Sequence, residues 1–284
     1  LTLPPYSDKL ASGSQETRRV ILGEKAAVLA VVVAVVVCGF SSSSLSYQPL
    51  KIVDLPTAGL YARGEYGMDI DVYSEGGLLV GLGVGFAEFM SFGISYGGIN
   101  VIGSGDPDWN PRPEVNIRVR VLEENMVMPA IGIGFDSQGH GKYDKYYDRD
   151  STHYEERYLE KSRGFYAVAS KNWEILGPFS LHGGISYSLE NKTDHDPTIF
   201  VGVIKSLGGF ADLAAEYDFA SNDNEGPITI VEKRGYLNAS VAWYLNENLS
   251  LTLDVRDIAA TGKVNAKDVR KWNRGLSISY RGKI

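Results

Sequence analysis

Residues 129–139 read PAIGIGFDSQG, and the way they alternate decides the fold. Successive side chains of an extended chain point to opposite sides. Pro129, Ile131, Ile133 and Phe135 therefore share one face, and Ala130, Gly132, Gly134 and Asp136 share the other. The first face is large and apolar. The second is nearly bare and ends in an acid, after which the chain enters a segment crowded with charge and tyrosine.

The same period of two runs on both sides of this stretch. Ala62, Gly64, Tyr66, Met68, Ile70 and Val72 fall opposite Arg63, Glu65, Asp69 and Asp71. Leu78, Val80, Leu82, Val84 and Phe86 alternate with Leu79, Gly81, Gly83, Gly85 and Ala87. Met90, Phe92, Ile94 and Tyr96 form a third stripe. Val115, Ile117, Val119 and Val121 form a fourth, against Asn116, Arg118 and Arg120. The opening stretch is the fifth strand and GFYAVASK, 164–171, the sixth. In the seventh, Phe179, Leu181, Ile185, Tyr187 and Leu189 oppose Ser180, His182, Gly184, Ser186 and Ser188. TIFVGVIK, 198–205, is apolar on both faces, which leaves its register open. Leu213, Ala215, Tyr217 and Phe219 oppose Asp212, Glu216 and Asp218. Leu237, Ala239, Val241 and Trp243 make a tenth stripe. Leu249, Leu251, Leu253 and Val255 oppose Ser250, Thr252, Asp254 and Arg256, and Leu276, Ile278 and Tyr280 close the series.

These twelve strands are joined by two kinds of connection. AEF, EENM, NWEILGP, LGG and NEN are short. The alternate set, near 98–113, 136–163, 190–197, 220–234 and 257–273, is long and polar, with only SEGG short. The outward stripes are bordered by aromatics at both ends. Phe86, Phe92, Phe179 and Trp243 stand near the short turns, and Tyr96, Phe135, Tyr187 and Phe219 near the long loops. A soluble sandwich also alternates, but it has no reason to segregate loop lengths or to place aromatic girdles. The pattern predicts an all-β, transmembrane antiparallel up-and-down β-barrel of about 12 strands.

Composition agrees. The 284 residues include 32 Gly and 17 Tyr, suited to tight turns and aromatic borders, and the net charge of −7 argues against a nucleic-acid partner. The apolar run AAVLAVVVAVVVCGF at 26–40 follows Arg18, Arg19 and Lys25 and precedes SSSSLSYQ. That is the plan of a secretory signal peptide cut ahead of Tyr47. Residues 1–46 are then an N-terminal extension and signal, and 47–284 the barrel. The one cysteine, Cys38, lies inside the signal, so the mature chain would carry no thiol chemistry.

Parity places Arg63, Glu65, Asp69, Asp71, Arg118, Arg120, Asp136, His182, Asp212, Glu216, Asp218, Asp254 and Arg256 on the lumen side. Such charges must pair across the lumen or meet water. The interior glycines leave room for a cavity in either case. His182 lies among serines of its own strand, which do not by themselves supply the nucleophile, base and orienting group of a hydrolase, and no GxSxG is present. No catalytic residue is assigned. The segment 136–163, with seven acids, six bases and five tyrosines, reads most simply as a solvated hairpin extending its flanking strands. Asp144, Asp148 and Asp150 could offer oxygens to calcium, but the EF-hand spacing and glycine are missing. No metal or cofactor is assigned.

MPAIGIGFDSQGHGKY, followed by GFYAVASKNW, is similar to the repeated element of YjbH-type outer-membrane proteins, a family linked to exopolysaccharide production and export. There an apolar PA-x-x-x-G-x-D strand leads through a Gly-containing loop to a strand ending in VASK. The counterparts are Pro129, Ala130, Gly134, Asp136, Gly139 and Val168 to Lys171. The resemblance covers about residues 128–173, and this chain carries an inserted charged loop between the two motifs. It implies a single-barrel relative and no catalytic residues.

The expectation is a non-enzymatic bacterial outer-membrane protein, exported through a cleaved signal, that serves as a transport or assembly component of the cell envelope. Exopolysaccharide export is the activity the resemblance implies. Its partners would be outer-membrane lipid, and polysaccharide or envelope proteins. The alternatives are a non-conducting barrel that displays its loops for adhesion, and a lipid-modifying membrane enzyme.

Overall fold

The structure, a computed structural model, describes residues 49–147, 154–190, 194–224, 235–259, 263–264, 267–268 and 273–284. The segment read as a signal lies outside the described residues. Twelve strands form the wall. They are β1 Glu65–Tyr73, β2 Gly77–Ala87, β3 Met90–Ile99, β4 Glu114–Leu122, β5 Ala130–Asp136, β6 Gly164–Glu174, β7 Pro178–Tyr187, β8 Thr198–Leu207, β9 Ala211–Asp218, β10 Tyr236–Tyr244, β11 Leu249–Arg256 and β12 Asn273–Lys283.

Each strand pairs antiparallel with its sequence neighbours, and β12 pairs with β1, placing Asp69 beside Ser279, so the sheet closes on itself. Closure removes the unpaired edges that an open sheet would have to protect. Short connections, such as Glu88–Phe89 and 208–210, gather at one end with the start of β1 and the end of β12. The long loops gather at the other end. The exception there is the Ser74–Gly76 turn, where Glu75 and Gly76 both take left-handed φ values, 62° and 64°, as a tight hairpin of this hand requires.

The wall is inside out relative to a soluble fold. On the outer face Leu82 is 54% exposed, Ile133 46% and Leu253 47%, while the inward Glu216 is 2% exposed and Asn238 1%. Water would penalise such a continuous apolar surface, whereas the hydrocarbon of a membrane welcomes it. The aromatic residues border this belt. Tyr96 stacks on Trp109, and Phe135 meets Phe165 at a tilt of 51°, near the long loops. Trp173 meets Phe179 near the short turns.

Two details depart from the parity reading. β1 begins at Glu65, so Ala62 and Gly64 belong to the preceding turn rather than to the first strand. Arg63 lies in that turn and is exposed, outside the strand's alternation and away from the lumen face assigned to it. The chain ahead of this turn, within the segment assigned to the barrel, is no part of the wall: residues 49–61 lie inside it.

Candidate functional site: an occupied lumen

The occupant is a hairpin. The Ile52 N–H donates to the Leu55 carbonyl at 2.9 Å, closing a tight turn, and the Thr57 N–H donates to the Leu50 carbonyl at 3.1 Å. Lys51 bridges Pro56, and the Thr57 hydroxyl donates to the Pro49 carbonyl. The two legs are thus tied to each other and make no ladder with the barrel strands.

The tip is held by charge. Glu216 of β9 accepts from three consecutive backbone groups: the N–H of Val53 at 2.8 Å, of Asp54 at 3.0 Å and of Leu55 at 3.0 Å. Asn238 of β10 donates to the same carboxylate at 2.8 Å. Arg256, which also pairs with Asp254, donates through Nε and Nη2 to the two oxygens of Asp54, at 2.7 and 3.0 Å. Burial works against charge on Asp54, yet Arg256, aided by His140 and Lys51, holds its carboxyl below the usual range. Lys51 reaches Asp71 at 3.6 Å.

The legs are held by the wall. The guanidinium of Arg118 donates to the Leu50 carbonyl, and that of Arg120 donates twice to the Ala58 carbonyl at 3.0 Å. The Ala58 N–H donates to the Ser170 hydroxyl at 2.9 Å. On the apolar side Ile52, Leu55 and Ala58 pack with Ala130, Tyr166, Val168, Phe200 and Ile204. Fully burying a side chain such as Leu55 contributes about 1.5–3 kcal/mol.

The inward glycines are shaped to this guest. A Cβ on Gly67 or Gly83 would collide with the Tyr61 ring, and one on Gly202 with the Ile52 side chain. A Cβ on Gly132 would stand 3.1 Å from the Ala58 Cα. The bare face of PAIGIGFDSQG thus receives Ala58 at Gly132. Arg281 lies over the Tyr61 ring at 5.0 Å, within cation–π range.

Space remains on either side of the hairpin. Toward the short turns lies a cavity of about 500 Å³ lined by Arg120, Glu124, Asn172, Trp173, His182 and the hairpin's Ala58. A second, of about 210 Å³, lies among Lys51, Asp69, Asp71, Arg118, Asp136 and Asp254. Both are bordered by Asp212, Tyr244, Ser279 and Arg281.

The remaining residues assigned to the lumen fall as follows. Asp69 accepts from the Ser279 hydroxyl and Asp212 from Tyr244. Asp136, at the outer end of β5, is within 3.4 Å of the Asn116 amide. Asp218 is at the mouth, bound to Arg163 and accepting from Thr198 at 2.9 Å. Glu65 caps the turn ahead of β1 through the Ala62 N–H at 2.8 Å.

His182 has serine hydroxyls on both ring nitrogens, Ser170 at 2.8 Å from Nδ1 and Ser180 at 2.9 Å from Nε2. Ser170 also accepts from the Ala58 N–H, so the histidine sits one hydrogen bond away from the hairpin backbone. No carboxylate orients the ring through a hydrogen bond, so this is a buried polar contact and not a catalytic triad.

The mouth at the long-loop end is covered by a second hairpin, His140–Tyr147 paired with Tyr154–Glu160. It does not extend β5 and β6 into solvent as the sequence suggested. It leans on its neighbours. Arg157 donates to both oxygens of Asp223 at 2.8 and 3.0 Å, the Tyr158 hydroxyl reaches Glu114 at 3.3 Å, and Lys161 donates to the Asn222 carbonyl at 2.6 Å. Burial and the neighbouring Arg157 lower the Lys161 pKa. His140 lies against the Tyr73 ring at 4.8 Å. Of the three aspartates weighed for calcium, Asp144 pairs with Lys142, and Asp148 and Asp150 lie outside the described residues.

No protein-family model matches the chain, and no curated protein matches it. Among solved structures it is similar to the KdgM porin, with a TM-score of 0.45 and 10% identity, over 76% of this chain and 98% of that one. The NanC porin gives a TM-score of 0.43 and 9% identity over 77% and 99%. The Acinetobacter baumannii outer membrane protein Omp33 gives 0.43 and 8% over 80% and 100%.

Proposed function

We propose that this protein is an outer-membrane transport component whose barrel provides a passage for hydrophilic solutes. One observation carries the reading. The wall encloses more polar space than its own side chains fill, room enough for a thirteen-residue hairpin and for cavities of about 500 and 210 Å³. A barrel with a purely structural role has no need of such a lumen, and narrower barrels fill theirs with side chains. The acids and arginines along the inner face suit ions and hydroxyl-rich solutes, which exchange hydration for hydrogen bonds with the wall.

The apolar run at 26–40 would direct export, and cleavage ahead of Tyr47 would leave the lumen hairpin close behind the mature N-terminus. Exopolysaccharide is the cargo suggested by the YjbH-type resemblance. The residues that carry that resemblance include Ala130, Val168 and Ser170, all in contact with the hairpin.

The test is solute efflux from proteoliposomes containing the purified full chain. Leakage of small ions and sugars that depends on the protein, and that grows when the lumen is loosened with mild denaturant, supports the passage. Liposomes that hold folded protein and stay tight to every solute under every condition overturn it. They would favour the second reading, a non-conducting barrel that displays its loops, which the filled lumen by itself also supports.

A further inference from the structure

We propose that residues 49–61 are a releasable plug, an autoinhibitory hairpin that closes the lumen at rest and withdraws as a unit through the short-turn end. The inference rests on the reading of the barrel as a passage and adds how that passage is closed.

Three observations carry it. First, the hairpin is bonded to itself. Its turn at Ile52–Leu55, its Thr57–Leu50 hydrogen bond and its Lys51–Pro56 bridge are internal, so these bonds travel with it when it leaves the wall. Second, it is absent from the ladder of the barrel. The wall closes strand to strand without it, and its attachments are side chains gripping its backbone and tip: Glu216, Arg256, Arg118, Arg120 and Ser170. A segment held in this way leaves without breaking any strand pairing. Third, among the described residues its covalent tie to the wall is at the short-turn end, where the chain turns through Ala62–Gly64 into β1. A hairpin anchored there retreats along the lumen axis, and no strand has to be threaded.

The seat is nonetheless specific. The glycines at 67, 83, 132 and 202 leave room that Tyr61, Ala58 and Ile52 occupy, so closure is a built state and not a collapsed tail. Withdrawal removes one cation, Lys51, and one anion, Asp54, and so leaves the wall's own charge in place. Asp69, Asp71, Asp136, Asp212, Glu216 and Asp254 then face the water with Arg118, Arg120, Arg256 and Arg281, so the acids outnumber the bases. The open lumen therefore favours cations and neutral hydroxyl-rich solutes over anions.

The geometry supplies its own lock. The Cβ of Ala58 lies 3.4 Å from the position of a Cβ on Gly132, so a shift of the hairpin by a few tenths of an ångström brings the pair to the roughly 3.5–4.5 Å that a disulfide spans. The experiment compares three forms of the full chain, all with Cys38→Ser, in planar bilayers: the parent, a variant lacking 49–61, and Ala58→Cys/Gly132→Cys. A released state populated at about 0.1–10% predicts that the deletion raises mean conductance roughly 10- to 1000-fold over the parent. The double-cysteine protein should be silent when oxidised and regain parent-like openings when reduced, which tests the plug even if the deletion variant fails to fold. If parent and deletion conduct alike and oxidation changes nothing, the passage stands and the plug is overturned. If no form conducts although each is folded in the membrane, the passage reading falls and the plug with it.

Discussion

Arg256 holds Asp54 with two prongs of its guanidinium, Nε at 2.7 Å and Nη2 at 3.0 Å, and so fixes the tip of a lumen hairpin to a wall strand 202 residues away in sequence. Paired geometry of this kind is stronger and more directional than a single contact. Breaking a buried pair from one side costs about 3–5 kcal/mol, and Asp254 remains beside Arg256 to soften the loss. Asp54→Ala is therefore expected to speed amide hydrogen exchange at Val53, Asp54 and Leu55 by roughly a hundredfold while the wall strands stay protected. Equal protection in variant and parent would show that the tip is held by something else.

The pH dependence of this pair has a definite sign. The carboxyl of Asp54 is held below its usual value of about 3.9. A group with a lowered pKa contributes its stability in full above the unfolded value and loses it only as pH falls through the folded one. Hairpin exchange measured from pH 8 down to pH 5, corrected for intrinsic rates, should show no release from protonation of this residue. Release centred near pH 6 would assign control of the tip to another group.

Tyr61 lies where side chains on Gly67 and Gly83 would be. Gly83→Ala forces the ring to move, an overpacking cost of about 1–3 kcal/mol. Tyr61→Ala in the same chain removes the clash, so the double variant should recover much of that loss. The measurement is the temperature at which the barrel loses its compact migration on gels. A single variant as stable as the parent would place the ring elsewhere.

Much of this architecture was legible because wall strands obey a local rule. Val80 to Phe86 and Leu249 to Val255 alternate strictly, since each residue faces either lipid or lumen, and loop length then sorts the two ends. The hairpin obeys no such rule. KIVDLPTAGLY has no partner strand, and its partners are side chains brought together by closure, such as Glu216 and Arg256. A trace of it was present in TIFVGVIK. Phe200 and Ile204 are apolar on the lumen side because Ile52 and Leu55 cover them, and that is why the strand reads as apolar on both faces. Parity failed at Arg63 because a turn, not a strand, precedes Glu65. Folding of the charged loop across the mouth depends on Asp223 and Glu114, which are distant in sequence from Arg157 and Tyr158.

On the reading of the barrel as a passage, the lumen's own charge sets its selectivity. Asp69 and Asp71 line the second cavity, and Asp71 faces Lys51 only while the hairpin is seated. In the barrel lacking 49–61, Asp69→Asn/Asp71→Asn should lower the potassium-to-chloride permeability ratio by roughly two- to fivefold, because carboxylates in a confined channel raise the local cation concentration. The reversal potential in a salt gradient measures it. An unchanged potential would remove these two residues from the conduction path.

The outer belt makes a demand of a different kind. Leu82, at the middle of β2, is 54% exposed and flanked across the ladder by Met68 and Ile94. In water an arginine there would be harmless. In hydrocarbon it costs about 2–4 kcal/mol at the bilayer midplane, falling toward the interfaces. Leu82→Arg should therefore lower the free energy of unfolding from lipid vesicles by that amount, read from the shift of the urea midpoint at constant slope. Leu82→Ala, which gives up apolar contact but adds no charge, should cost clearly less. Equal costs for the two variants would mean that this face does not meet the membrane core.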